Sequence, residues 1–197
     1  MDPDLPLIEA LQAGEDLPLN ELMNRHREPL FRFAYRYLHD ETLARDVVQE
    51  TFVRAYFKAA QFKPGSLVKT WLYTIALNLC RDQGRRLARR SGDISLNAPR
   101  ADHQPAPELA DPAAGPDVNA GQSERFTALQ QAIDQLPHKL KAALVLFSLE
   151  GHSQKEVAEM LDTTPKTIEL RVAHARIKLR RALANEMGEP STWAEVG

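Results

Sequence analysis

The chain is poor in the features that mark secreted, metal-bound or membrane-spanning proteins. Among 197 residues there is one cysteine, Cys80, so no internal disulfide can form, and the six histidines fall at no ligand-like spacing that would complete a zinc site with it. A lone thiol of this kind reads as a small packing residue rather than a redox sensor. No apolar run approaches the roughly 18 residues that a membrane span needs. The opening "MDPDLPLIEALQAGED" is acidic and lacks the basic start and apolar centre of a signal peptide. A cytoplasmic protein without membrane insertion is expected. No carboxylate cluster has metal spacing, no glycine-rich loop suits a phosphate, and no nucleophile pairs with an ordered base. An enzyme acting on nucleic acid is therefore disfavoured, and no cofactor is expected. Internal repeats are missing as well, and almost nothing alternates over a strand-like length.

What is present is apolar periodicity of three and four on both sides of a segment with a different composition. Residues 91–122 hold five prolines, three glycines and five carboxylates against a single arginine, which reads as a linker. The expected fold is all-α: two small helical domains, 1–90 and 123–187, joined by a flexible acidic linker over 91–122 and followed by a tail, 188–197, that contains Trp193. Helices are expected at 4–13, at 18–38 with a kink at Pro29, at 42–59 and at 66–90. In the second domain they are expected at 124–135, 138–149, 153–161 and 165–186, punctuated by Pro137 and Gly151.

The stretch "SQKEVAEMLDTTPKTIELRV" carries a turn signal. Ser153 and Glu156 form a capping box, and Val157, Ala158 and Leu161 are the buried side of a short helix. Asp162-Thr163-Thr164 then turns the chain, with Thr164 as N-cap and Pro165 in the first turn of the next helix. Two helices joined this tightly suit a helix-turn-helix, whose second helix enters the DNA major groove. At about 100° per residue, Ile168, Val172, Ala175, Leu179 and Leu183 share the core face of that helix. Lys166, Glu169, Leu170 and Ala173 point away from it. Arg171, His174 and Lys178 flank one edge, and Arg176 and Arg180 the other. Cationic edges suit phosphates, and the centre suits base edges. The net charge of −2 conceals this face because the acid lies elsewhere.

In "LARDVVQETFVRAYFKAA" the same arithmetic turns Ala44, Val48, Thr51, Phe52 and Ala55 inward. Asp46, Gln49 and Glu50 then share an outer face with Val53 and Phe57, mixing like charges with apolar groups. Such a face suits a protein partner, unless the preceding kinked helix covers Val53 and Phe57. The next segment opens on a Pro-Gly loop and becomes a helix with Trp71, Leu72, Ile75, Ala76 and Leu79 as its apolar residues. It ends with five arginines between 81 and 90. An arginine cluster near aromatics can bind nucleic acid by charge and stacking, although Trp71 itself reads as core.

"DVVQETFVRAY", "KTWLYTIALNLCRD" and the long "LPHKLKAALVLFSLEGHSQKEVAEMLDTTPKTIELRVAHARIKLRRAL" resemble regions two and four of the bacterial extracytoplasmic-function sigma factors, over about residues 5–90 and 122–185. The resemblance implies a dissociable, non-enzymatic subunit that directs RNA polymerase core to promoter DNA and helps to open it. The polymerase would be met at its largest-subunit clamp helices and at its flap. The implied core-polymerase contacts are Asp46, Gln49, Glu50, Phe52 and Val53. The loop from Gln61 to Leu67, with Phe62, Lys63 and Ser66, is similar to the part that captures a flipped base of the start-proximal box. Asn78 matches the asparagine of the family's "IAxN" motif, facing the opened strand, with Arg81, Arg85 and Arg86 on its backbone. Thr164, Lys166, Thr167, Glu169, Leu170, Arg171, Ala173, His174 and Arg176 would meet the upstream box as duplex. An anti-sigma factor that blocks both domains is a common further partner in the family. "KTIELR" departs from the family's usual "GTVKSR", so the preferred promoter differs: Glu169 is expected to accept from cytosine and Leu170 to pack on a thymine methyl. Asp162 stands where the turn often has glycine, which Asp tolerates.

The main rival reading is a helix-turn-helix regulator that binds duplex operator DNA alone, with the first domain as a sensor. The mixed face of residues 46–57 favours the sigma reading. A pure adaptor would need neither the arginine cluster nor the reading helix.

Overall fold

A computed structural model describes residues 2–93, 125 and 127–187. The expected linker from 94 onward and the tail with Trp193 lie outside the described residues. Among the described residues eight helices follow one another: α1 (Leu5–Gln12), α2 (Leu17–Leu38), α3 (Glu41–Lys58), α4 (Val68–Asp93), α5 (127–134), α6 (His138–Leu144), α7 (Gln154–Met160) and α8 (Pro165–Met187). A 3₁₀ turn, Ala59–Gln61, follows α3, and a π turn, Val145–Leu149, follows α6. The described residues contain no strand, only an isolated bridge between Pro64 and Ser66. No described helix is long and apolar enough to cross a membrane.

Local chemistry accounts for most boundaries. Asp40 caps α3 by accepting from the Leu43 amide at 2.8 Å, and His39, at φ 54, ends α2 in the left-handed region. α2 runs on through Pro29 without ending there. The expected helix over 138–149 changes character at Val145: the Glu150 amide reaches back five residues to the Val145 carbonyl at 3.0 Å, and the His152 amide bonds Leu146 O at 3.2 Å. That wide turn keeps Val145 and Leu146 fully buried before Gly151, at φ +71, redirects the chain. α4 continues three residues into the expected linker, to Asp93.

The amino-terminal core gathers Ile8, Leu22, Leu30, Phe33, Val47, Val68, Leu72 and Leu77, and the carboxy-terminal core Val145, Leu146, Val157 and Ile168, all at most 1 % exposed. The two sets form one continuous buried cluster. Cys80 sits inside it, with burial pushing its thiol up to about 12, which suits the packing role and not a reactive one.

The capping box at α7 is complete. The Glu156 amide donates to Ser153 Oγ at 3.2 Å, and the Ser153 amide to Glu156 Oε2 at 2.8 Å. Ser153→Ala is expected to cost about 1 kcal/mol, measurable as a lower urea midpoint with an unchanged m-value.

Candidate polymerase and nucleic-acid interfaces

On α3 the inward set is buried as expected, joined by Val47. Asp46, Gln49, Val53 and Phe57 are exposed, with Phe57 at 75 %, so α2 does not cover the apolar pair. Glu50 is half-buried and bonded to Arg54 at 2.7 Å. Phe52 is a correction. At 2 % exposure it is part of the core, because it falls on the same helical arc as Val48 and Ala55, and it can support a partner surface only from beneath. Asp46, Gln49, Glu50 and Val53 line a groove of about 390 Å³ between α3 and α4, whose other wall is Leu79, Asp82, Gln83 and Arg86. Sequence reasoning missed Asp82 and Gln83. Their signal was available, since they stand three and four residues beyond Leu79 on α4.

Arg86 therefore belongs with the α3 groove and parts company with Arg81 and Arg85. The latter two, one helical turn apart, line a cavity of about 250 Å³ against the second domain, with Asp134, His138 and Lys141 opposite. Arg81 lies 3.3 Å from His138 Nε2. Desolvation, reinforced by the charges of Arg81, Arg85, Lys139 and Arg171, lowers the pKa of His138. Asn78 is exposed on α4.

The loop between α3 and α4 is anchored by Phe62, which is 5 % exposed and meets Trp71 edge-on at 5.3 Å. Phe62 is the second correction: as a core residue it holds the loop and does not present itself to a base. Lys63 is exposed and Ser66 half-buried, flanking Gly65 at φ +129. Trp71 is half-buried, packed on the core.

α8 has the faces expected of it, except that Leu183, expected on the core face, is half-buried. Ile168, Val172, Ala175 and Leu179 are at most 9 % exposed, while Lys166, Glu169, Leu170, Ala173, His174 and Arg176 are exposed and Arg171 is half-buried. Thr164 Oγ1 accepts from the Thr167 amide at 3.2 Å and meets the Thr167 hydroxyl at 2.9 Å, so both threonines act in the cap. Glu169 pairs with Lys166 at 2.9 Å across the tip. Asp162, at φ 46, makes the left-handed turn where the resemblance leads one to expect glycine.

The two helical sets are bridged by polar contacts that the sequence did not reveal. Arg36 donates to Glu150 Oε1 at 2.6 Å and to Leu149 O at 2.7 Å. His39 Nδ1 lies 2.9 Å from both Asp134 oxygens, and the Gln130 amide also contacts its ring. Burial would raise Asp134, but bonds and charges from His39 and Lys141 outweigh it and hold the carboxyl below its ordinary range. His152 is 3 % exposed, stands edge-on to Tyr73 at 4.4 Å, and has no protein partner for either ring nitrogen. Desolvation, then the charge of Lys69, pushes its pKa down to about 4 against the pull of Glu156. Among the described residues no three metal-ligating side chains come together.

Comparison with known proteins agrees with this arrangement. The model for Sigma-70 region 2 matches residues 22–90, and that for Sigma-70 region 4 matches residues 126–179. The RNA polymerase sigma-H factor of Pseudomonas aeruginosa is 29% identical over 180 residues, covering 91% of this chain and 93% of the relative. The extracytoplasmic-function sigma factor SigM of Mycobacterium tuberculosis is 31% identical over 180 residues, covering 91% and 84%. Among solved structures, CnrH in complex with the cytosolic domain of CnrY superposes with a TM-score of 0.65 at 26% identity, over 94% of this chain and 99% of that one. With relatives of this identity aligned over nearly their whole length, and both regions matched in order, the chain belongs to the extracytoplasmic-function family of RNA polymerase sigma factors.

Proposed function

We propose that this chain binds bacterial RNA polymerase core through the outer face of α3, reads the upstream promoter box as duplex with α8, and holds the opened start-proximal box with the 61–67 loop and α4. The observation that carries the reading is the α3 face. Val53 and Phe57 are exposed beside Asp46 and Gln49, an apolar cost on a soluble surface that a partner would relieve. The α3–α4 groove, with Asp82, Gln83 and Arg86, extends that surface; the clamp helices of the largest polymerase subunit are its partner, and the flap is the partner of the second domain. Asn78, Arg81 and Arg85 meet the non-template strand, and extrusion of one of its bases into the loop needs binding without chemistry. Residues 1–90 and 123–187 act as the two functional units. The complex of CnrH with the cytosolic domain of CnrY supports a protein partner for this fold, and an anti-sigma factor is the partner of that kind.

The test is transcription in vitro by purified core polymerase, with and without the protein, on a library of promoter fragments. Start sites that depend on the protein are expected, sharing an upstream box. Glu169→Ala and Leu170→Ala should each relax one position of that box by about 1–3 kcal/mol. No dependent start site, together with tight retention of one duplex by the protein alone, would overturn the reading.

A further inference from the structure

We propose that the amino-terminal helix is a positioning element for the base-capturing loop, with Gln12 and Asp2 as the residues that act; this rests on the reading of residues 61–67 as that loop. The Sigma-70 region 2 match begins at residue 22, so α1 and the segment before it lie outside the match. Polar contacts nevertheless tie that segment to both ends of the loop. At the entry, Gln12 Nε2 donates to the carbonyl oxygens of Ala59 at 2.8 Å and Phe62 at 3.4 Å. At the exit, Asp2 Oδ2 accepts from the Val68 amide at 2.6 Å, at the first residue of α4.

The exit contact has a clear physical reason. Leu67, immediately before α4, offers no side-chain acceptor to the free amides of the first turn. A carboxylate 66 residues away does what a serine or aspartate at that position would do, and its charge lies at the positive end of the helix. Asp2 is itself held in place. Its Oδ1 accepts from the Asp4 amide at 3.0 Å, and Asp4, 5 % exposed, binds Arg25 at 2.8 Å and His26 at 2.7 Å on α2. Ile8 and Leu11 fix α1 in the core. The loop ends are thus referenced to α2 through the amino-terminal segment. Between them Phe62 is buried, while Lys63, Pro64 and Gly65 are exposed.

A loop that selects among extruded bases discriminates well only if its shape is set before the base arrives. Gln12 and Asp2 set that shape and act through Lys63 and Ser66. Gln12 is solvent-exposed and contributes nothing to the apolar core, so changing it separates loop shape from folding.

The test uses the full chain with bacterial core polymerase and forked promoter fragments whose unpaired non-template strand is randomised across the start-proximal box; bound sequences are recovered and counted. Gln12→Ala is expected to reduce discrimination about tenfold at one position, with the other positions, core affinity and upstream duplex recognition unchanged. Gln12→Glu keeps the length but sets an acceptor against two carbonyls, and should match Gln12→Ala. Asp2→Ala should act at the same position, and Asp2→Asn, which keeps an oxygen for the Val68 amide, should restore most of the discrimination. An unchanged profile, or a uniform loss at every position, would overturn the positioning role. Lys63→Ala and Ser66→Ala identify the loop's own position. If these alter none, the reading of the loop fails and the positioning role falls with it. If they alter a position that the Gln12 and Asp2 variants leave intact, the positioning role alone fails.

Discussion

His152→Leu will raise the melting temperature at pH 7 and will remove much of the protein's loss of stability on mild acidification. His152 is buried with neither ring nitrogen bonded to protein, and an unsatisfied buried polar group costs about 1–3 kcal/mol. Leucine has no such group and nearly the same volume. It gives up the edge-on contact with Tyr73, worth about 0.5–1.5 kcal/mol. The net gain at pH 7 is about 1 kcal/mol, or about 2–4 °C for a chain of this size.

The larger effect comes below pH 6.5. His152 titrates near 4 in the folded protein and near 6.5 when unfolded. Between those values the unfolded chain binds a proton that the native one refuses, so stability falls as pH falls. The full difference amounts to about 3 kcal/mol by pH 4. Glu156 also loses ground on acidification, because its bonds to Ser153, and to a smaller extent the charge of His152, hold its carboxyl below the ordinary range; the leucine variant keeps the part that comes from Ser153 and loses the part that comes from the histidine. The difference between wild type and His152→Leu, followed by chemical denaturation from pH 7 to pH 4, therefore isolates the histidine. A constant difference across that range would show that His152 takes up its proton without leaving the interface.

The helix-turn-helix was legible because its signals are local: a capping box, a first-turn proline and a single apolar arc decide α7 and α8, and the structure repeats them, with Leu161 and Leu183 half-buried at the ends of their arcs. The α3 face was legible in the same way, since periodicity alone separates Val48 from Val53. Periodicity also corrects Phe52. The resemblance places Phe52 and Phe62 at contacts, but the arc that buries Ala55 buries Phe52, and Phe62, edge-on to Trp71, has more apolar area to bury than a loop tip can use. Contacts between distant segments were illegible. Nothing in "MDPDLP" announces that Asp2 will cap a helix 66 residues away, and neither Arg36 nor Glu150 carries any mark of the other. The π turn at Val145 belongs to this class too, because it is tertiary burial of Val145 and Leu146, not local propensity, that selects it.

Arg36→Ala will loosen the junction between the two helical sets while increasing the isolated protein's affinity for single-stranded promoter DNA. Arg36 bonds Glu150 at 2.6 Å and the Leu149 carbonyl at 2.7 Å; the Glu150 side chain is 5% exposed and that of Arg36 42%. Removing the exposed partner strands the buried one, a loss of about 3 kcal/mol at the low end for such pairs, since water reaches Arg36. Glu150→Gln keeps an acceptor and should cost less, and the double variant should cost less than the sum. Because the pair crosses the junction, the loss should appear as separation of the two sets, read as an increased radius of gyration by small-angle scattering. The remaining bridges, His39 to Asp134, Tyr73 to His152 and Arg81 to His138, and the apolar cluster that the two sets share, then hold a weaker junction that opens more often. Arg81, which contacts His138 across the same junction, is then free for a phosphate. If the closed form excludes the strand, weakening it by about 3 kcal/mol raises apparent affinity by as much as about 100-fold. A destabilised variant that binds its ligand more tightly is the opposite of what general loss of structure produces. A lower melting temperature with unchanged dimensions and unchanged strand affinity would instead place the whole effect of Arg36 within α2 and the turn it touches.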